Sequence, residues 1–220
     1  MSKITSVEPQ NKNPKRFNVF LDSTFAFGAD EDLVVNYRLV PGKNIEQKDL
    51  EKLLFEAEVG KLMERMYGLF SIRARSEKEI RNYFRIKNYE SRIKGKEQVS
   101  VMVIDLLIDR LKQKGLINDL EFAKAWVDAR RKSKQKGTIA LKSELYQKGI
   151  SREIIDQVLS EESVDEGTLA EQALEKKLKS WKNLDKLTFK KKTYEFLARH
   201  GFNYQVISPI VAKILQKRYD

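Results

Sequence analysis

Residues 130–137 read RRKSKQKG, five cations within the first seven positions, closed by a glycine. Cations at that density call for an anion. The planar guanidiniums of Arg130 and Arg131 suit bidentate contact with phosphate or carboxylate, and Lys132, Lys134 and Lys136 add point charges. The plain alternative is a solubilising turn, with Gly137 serving only to reverse the chain. Arg73, Arg75 and Arg81 are expected around a corresponding basic turn, Ser71–Ser76, and Lys190, Lys191 and Lys192 near a third such turn. Other chemistry finds few candidates. The one histidine, His200, falls at an expected helix C-terminus, where a cation suits the helix dipole. The absence of cysteine excludes disulfides, thiol catalysis and cysteine-bound zinc, and fits a reducing compartment. No GxxxxGK[ST] phosphate cradle occurs. Acidic residues on basic helices mostly form weak surface pairs. No catalytic residue, metal site or cofactor is expected.

The charge balance supports a polyanion-facing surface. The net charge is +11, and it is unevenly placed. Residues 73–114 carry twelve Lys/Arg against six Asp/Glu, residues 130–148 seven against one, and residues 176–220 twelve against three. Between the last two, residues 153–175 hold eight acids and no base. Positive charge that recurs along a chain is the electrostatic footprint of a protein that meets nucleic acid or an acidic partner. No run of about 18 apolar residues appears, so no transmembrane helix is expected, and the N-terminus lacks the apolar core of a signal peptide. A monomeric cytoplasmic protein with no membrane partner is the resulting expectation.

The elements that position these groups repeat. Residues 145–159, LYQKGISREIIDQVL, match residues 197–211, LARHGFNYQVISPIV, at an offset of 52. Lys148 falls on His200, Gly149 on Gly201, Ser151 on Asn203, Ile155 on Ile207 and Val158 on Ile210. Each copy reads as a helix ending on a basic residue and a left-handed glycine, then a capping residue and a new apolar helical face. Upstream, Phe122, Trp126 and Ala129 fall on Leu174, Leu178 and Trp181, so a preceding helix repeats as well. A more altered copy contains Val103, Ile104, Leu107 and Ile108. It is preceded by a capping box at Ser76–Glu79 and interrupted by a longer basic loop from Asn88 to Lys96. Trp126, Trp181, Tyr83 and Tyr194 are expected to fill cores.

The first 45 residues differ in kind. Lys3–Val7, Phe17–Leu21 and Thr24–Phe27 alternate as strands, with a Pro/Asn stretch between the first two and a tight turn at Asp22-Ser23. A short helix succeeds Asp30, and Pro41-Gly42 reads as a linker. Val59, Leu62, Met63, Met66, Tyr67 and Phe70 form a long helical stripe. Asn118 caps the helix containing Phe122, and Pro209 kinks a later helix or occupies its first turn. The expected fold is mainly α, a curved, elongated tandem array of three three-helix repeats with a small N-terminal β-hairpin/α extension. The expected boundaries are 1–45, 46–115, 116–162 and 163–220.

Residues 115–159 resemble the central signature of the RecX family. The residues that carry the resemblance are Gly115, Asp119, Phe122-Ala123, Arg130-Arg131, Gly137, Leu141, Leu145 and Lys148-Gly149-Ile150. Residues 196–211 look like the family's C-terminal unit, residues 72–84 like its first, and the first 45 like an extension of its longer members. The departures are a lengthened loop at 88–98 and a shorter Lys-rich stretch at 182–192. The resemblance implies a non-enzymatic regulator in homologous recombination, DNA repair and the SOS response. Its partners would be the RecA recombinase filament and single- or double-stranded DNA, met directly or through RecA. It would restrain RecA ATPase, strand-exchange and co-protease activities. The residues alone leave open a helical-repeat DNA- or RNA-binding protein without a RecA partner, since a three-helix unit with a tight turn suits helix-turn-helix geometry.

Overall fold

The computed structural model describes residues 1–11, 13–161 and 164–219. The expected boundary at 162–163 lies outside the described residues. The element order is β1 (Ser2–Gln10), β2 (Asn13–Leu21), β3 (Thr24–Asp30), α1 (Glu31–Asn36), β4 (Asn44–Ile45), α2 (Gln47–Phe70), α3 (Glu77–Ile93), α4 (Val101–Gln113), α5 (Asp119–Lys134), α6 (Thr138–Gln147), α7 (Arg152–Glu161), α8 (Glu166–Ser180), α9 (Lys186–His200) and α10 (Tyr204–Tyr219). Two compact units emerge. The first comprises residues 1–75 and 80–117. The second comprises Ser76–Glu79, the first turn of α3 with its cap, and the chain from Asn118 on.

In the first unit the strands pair antiparallel in the order β3-β2-β1-β4. Asp22 and Ser23 link β2 to β3, both at positive φ, 48° and 68°. A two-residue hairpin loop needs that conformation to match the strand twist. Side chains across the turn support it: the Lys3 N–H donates to the Asp22 carboxylate and the Ser23 N–H to Thr5 Oγ1, each at 3.0 Å. Pro9 and Pro14 of the Pro/Asn stretch lie inside β1 and β2, and Asn11 is in a turn. The β1–β2 register slips between Pro9 and Gln10, and such a bulge accommodates a residue without an N–H. Pro41-Gly42 is not a free linker either. The Gly42 N–H donates to Ile4 O at 2.8 Å and the Ile4 N–H to Lys43 O at 2.9 Å, tying the segment to the sheet.

The inner face of the sheet, with Ile4, Val19, Leu21, Phe27 and Ala29, buries against Leu33, Leu39 and Ile45 and against Leu53 and Ala57 of α2. A small sheet is marginal alone, and α2 supplies its missing layer. Farther along α2, Val59, Leu62, Met63 and Met66 enter a second core with Ile80 and Phe84 of α3 and Val103, Ile104, Leu107, Ile108 and Leu111 of α4. One helix therefore serves two cores, and residues 1–45 share a core with the first half of α2. α3 runs to Ile93, so the loop expected from Asn88 begins later. Asn88 is helical, and its side-chain amide clamps the Val99 backbone in both directions, at 2.7 and 3.0 Å.

The second unit holds two three-helix sets, α5–α7 and α8–α10, each with its own core. The repeated grammar is visible atom by atom. Gly149 and Gly201 end α6 and α9 at φ 83° and 90°. Past each glycine, the N–H of Ile150 or Phe202 returns to Leu145 O or Leu197 O, at 3.1 and 3.2 Å. Ser151 and Asn203 then accept from the N–H of Ile154 and Val206, at 3.4 and 2.9 Å. Asn118 caps α5 through the N–H groups of Leu120 and Glu121, both at 3.1 Å. Pro209 lies on the exposed side of α10, beyond the first turn. Its ring removes the bond that would run to the Gln205 carbonyl.

Two joints in this unit place the first turn of one helix on the C-cap glycine of another. Ser76 Oγ donates to Lys148 O at 2.7 Å. The Gly137 N–H donates to His200 O at 2.8 Å and the Ile139 N–H to Gly201 O at 3.0 Å. Ser76 also accepts from the Glu79 N–H at 3.3 Å, half of the expected capping box, and the Glu79 carboxylate pairs with Lys148.

Candidate functional site

The end of α5 carries the densest basic run, and its neighbours give each cation a different surrounding. Phe122, Ala123 and Val127 fix the buried face of the helix. Trp126 is half-buried at its edge. Its indole N–H donates to Glu144 at 2.9 Å, and Arg130 Nε donates to the same carboxylate oxygen at 2.7 Å. The Arg130 guanidinium lies 4.4 Å from the indole centroid and the Lys148 ammonium 4.8 Å from it. Trp126 is thus a cation platform as well as a core residue.

Arg131 departs from the sequence reading. It is only 8% exposed. Its guanidinium donates to Lys136 O at 2.8 Å, to Thr138 Oγ1 at 3.2 Å and to Glu166 at 3.2 Å. Glu166 also accepts the Thr138 N–H at 2.7 Å, acting as the cap that Gly137 lacks at the start of α6. Arg131 is therefore held within the joint, not offered to a phosphate on the surface. Gly137 likewise has φ −77°, so chain reversal does not require glycine there. A Cβ at this position would stand 2.4 Å from Gly201 O, so close backbone approach is the reason.

A cleft of about 480 Å³ opens beside this joint. Arg130, Lys134, Lys136 and Lys177 line it with a single carboxylate, Glu144, and Phe196 and His200 complete the wall. The His200 ring lies tilted against Phe196, centroids 4.1 Å apart at 34°, and its Nδ1 is 2.9 Å from Phe196 O. Burial pushes the imidazole below its ordinary value. The Phe196 carbonyl opposes that shift, and Lys136, Arg199 and Lys177 reinforce it. His200 is therefore neutral at pH 7, not the dipole-facing cation its position suggests. The cleft can attract and hold an anion. Its lining offers no nucleophile paired with a base, and no group of three or more metal-ligating side chains occurs among the described residues.

Three family models match the chain: the regulatory protein RecX N-terminal domain over residues 2–46, the second three-helix domain of RecX over 118–159 and its third over 165–211. The regulatory protein RecX of Bacillus subtilis (strain 168) is 35% identical over 212 residues, covering 96% of this chain and 76% of that relative. The chain belongs to the RecX family. The Listeria innocua RecX is 35% identical over 163 residues, or 74% of this chain, which spans 57% of that longer relative. A crystal structure of regulatory protein RecX superposes with a TM-score of 0.76 at 23% identity, covering 96% of this chain and 98% of the other, a likeness of fold. The Arg130–Gly137 segment and the cleft beside it lie among residues that the second and third RecX domains match or bracket.

The remaining basic residues are less alike than their composition. Lys132 pairs with Asp128 at 2.8 Å with both side chains mostly exposed, a contact of small worth. Lys134 is exposed and Lys136 half-buried. Lys190, Lys191 and Lys192 are exposed, but they lie inside α9 between buried Phe189 and Thr193, not in a turn. The segment corresponding to the Arg130–Gly137 connection is instead residues 181–185. In the first unit, Arg73 donates to Ala74 O at 2.9 Å and Arg75 Nε reaches Leu69 O at 3.5 Å, near the last turn of α2. Arg81 joins α3 to α4 through Asp105 at 2.7 Å. Sequence reading missed Lys177. Its place in the cleft depends on α8 packing beside α9, and no local pattern marks that.

Proposed function

We propose that this protein is a non-enzymatic modulator of RecA that binds the RecA–DNA filament and restrains its ATPase, strand-exchange and co-protease activities in DNA repair and the SOS response. The observation that carries the reading is family membership over most of the chain. The cationic cleft gives that membership a physical means of meeting an anionic filament. Lys134, Lys136 and Lys177, with Arg130 steadied by Trp126 and Glu144, are the contacts we assign to the filament, and exposed Lys132 and Lys190–Lys192 extend the same field. Arg73, Arg75 and Arg81 are retained as a separate basic group of the first unit. The reading carries with it a cytoplasmic, monomeric protein without a cofactor.

RecA-driven strand exchange in the presence of substoichiometric protein is the test. A reduced rate is expected, and an unchanged rate with no binding to the filament contradicts the proposal. The second reading, a nucleic-acid-binding helical protein with no RecA partner, draws on the same excess of cations over carboxylates in the cleft. Bare DNA bound as tightly as RecA-coated DNA favours it.

A further inference from the structure

The cleft beside α5 sets one uncharged ring among converging cations. Arg130 and Lys134 come from α5, Lys136 from the connection to α6 and Lys177 from α8. Lys134, Lys136 and Lys177 have no carboxylate partner among the described residues. Glu144 of α6 is already engaged, since Arg130 and Trp126 share one of its oxygens. The Lys177 ammonium stands 5.9 Å from the ring centroid of Phe196, which shares the wall with His200. The His200 ring has a fixed tautomer. A carbonyl only accepts, so the contact with Phe196 O makes Nδ1 the protonated nitrogen of the neutral ring. Nε2 then carries the lone pair, and it has no hydrogen-bond partner among the described residues. The charged groups around the ring are Arg130 and Lys134 of α5, Lys136, Glu144 of α6, Lys177 of α8 and Arg199 of α9. Only Glu144 among them is acidic.

From this arrangement we infer that the cleft is a site for a free polyphosphate anion, taken up together with one proton on His200. A space of about 480 Å³ suits a single small ligand. Linked phosphates carry several charges along a short chain and match cations that arrive from separate elements. A lone carboxylate or monophosphate meets only one or two of them. The occupied cleft also reverses the situation of the ring. An anion seated among the cations offsets their repulsion, favours the charged imidazole and gives a protonated Nε2 an acceptor. Anion and proton therefore strengthen each other's binding, by the same factor in both directions. The inference rests on reading the cleft as an anion site, and it adds regulation to that reading. Free polyphosphate competes with the filament for Lys134, Lys136 and Lys177, and competes best in mild acid.

The experiment uses the full chain without RecA and inorganic tripolyphosphate as the probe. His200 is the one histidine, so the imidazole C–H signals in a proton NMR spectrum report this ring alone. They are titrated with pH in the free protein and in the protein saturated with tripolyphosphate, at matched ionic strength. The occupied protein is expected to titrate about one pH unit higher, a tenfold gain in proton affinity. Lys136→Ala with Lys177→Ala weakens tripolyphosphate binding about tenfold. Three results overturn the inference: binding that leaves the His200 titration in place, affinity no greater than that for sulfate, or a double variant that binds as the wild type does. ATP is the second probe. Affinity above that of tripolyphosphate assigns the ligand to free nucleotides, and equal or lower affinity assigns it to inorganic polyphosphate. Neither substituted lysine makes a side-chain hydrogen bond among the described residues, and far-UV circular dichroism checks the fold of the variant. A failed titration leaves the effect on RecA standing, and an unaffected RecA leaves the titration standing, so the two readings fail separately.

Discussion

The two joints of the second unit solve one packing problem with different materials. At Lys148–Gly149 the incoming turn is held by side chains: the Ser76 hydroxyl reaches the carbonyl, and Glu79 pairs with Lys148. At His200–Gly201 the incoming turn is held by its own backbone, through the Gly137 and Ile139 N–H groups, and Arg131 with Glu166 seals it. The C-cap glycines look alike in sequence but carry different loads. A Cβ on Gly149 meets the Lys78 side chain at 2.5 Å, whereas one on Gly201 meets the backbone N of Ala140 at 2.3 Å. Gly95 is left-handed as well, at φ +62°, and a Cβ there meets nothing within 4 Å. A terminating glycine therefore has two separable meanings, conformation and closeness, and only the first is local.

The contrast between the joints breaks most severely at Arg131. Arg131→Ala removes a buried guanidinium that bonds Lys136 O, Thr138 and the half-buried Glu166 carboxylate, and about 3–5 kcal/mol of stability is expected to be lost in urea unfolding. Next comes Gly201→Ala, where left-handed strain combines with a clash against backbone that cannot swing aside. About 3 kcal/mol is expected. Gly149→Ala carries the same strain, but its obstacle is a side chain, so about 2 kcal/mol is expected. Gly95→Ala, with strain alone, sets the baseline at about 1 kcal/mol. Equal losses at Gly95 and Gly201 would erase the distinction between the joints.

The smallest effect concerns pH. The folded-state pKa of His200 lies below its ordinary value because burial disfavours the charged imidazole. The unfolded chain then takes up this proton first on acidification. The contribution of neutral His200 is complete above the unfolded pKa near 6.5 and declines as pH falls through that value toward the folded pKa. The cations facing the ring, Lys136, Arg199 and Lys177, act in the same direction. His200→Gln is expected to flatten the stability profile below about pH 6.5, and an unchanged profile would place the acid sensitivity elsewhere.

Legibility in the sequence divides along the same line between local and distant. The caps at Asn118, Ser151 and Asn203, the glycine stops and the Asp22-Ser23 turn are decided within a few residues and are legible from them. Arg131 is not. Its partner Glu166 is 35 positions away, and nothing local tells a buried arginine from the exposed lysines beside it. Lys177 joins the cleft only through helix packing, and the two-residue β4 is too short to leave a pattern. The register slip at Pro9/Gln10 leaves no mark in the sequence, because a bulge is a property of the pair of strands, not of either one. Lys190–Lys192 read as a turn because three consecutive lysines mask the helical spacing of Phe189, Thr193 and Phe196.

The proposed docking of this RecX-family chain on the RecA filament depends on the second unit's cationic cleft. The direct measurement is DNA-dependent ATP hydrolysis by RecA with substoichiometric amounts of the intact chain, beside a variant carrying Lys134→Ala, Lys136→Ala and Lys177→Ala. The account predicts that the wild-type chain lowers the steady-state rate and that the triple variant, equally folded, does so only at much higher concentration. A rate unaffected by the wild-type chain, or lowered equally by both proteins, would contradict it.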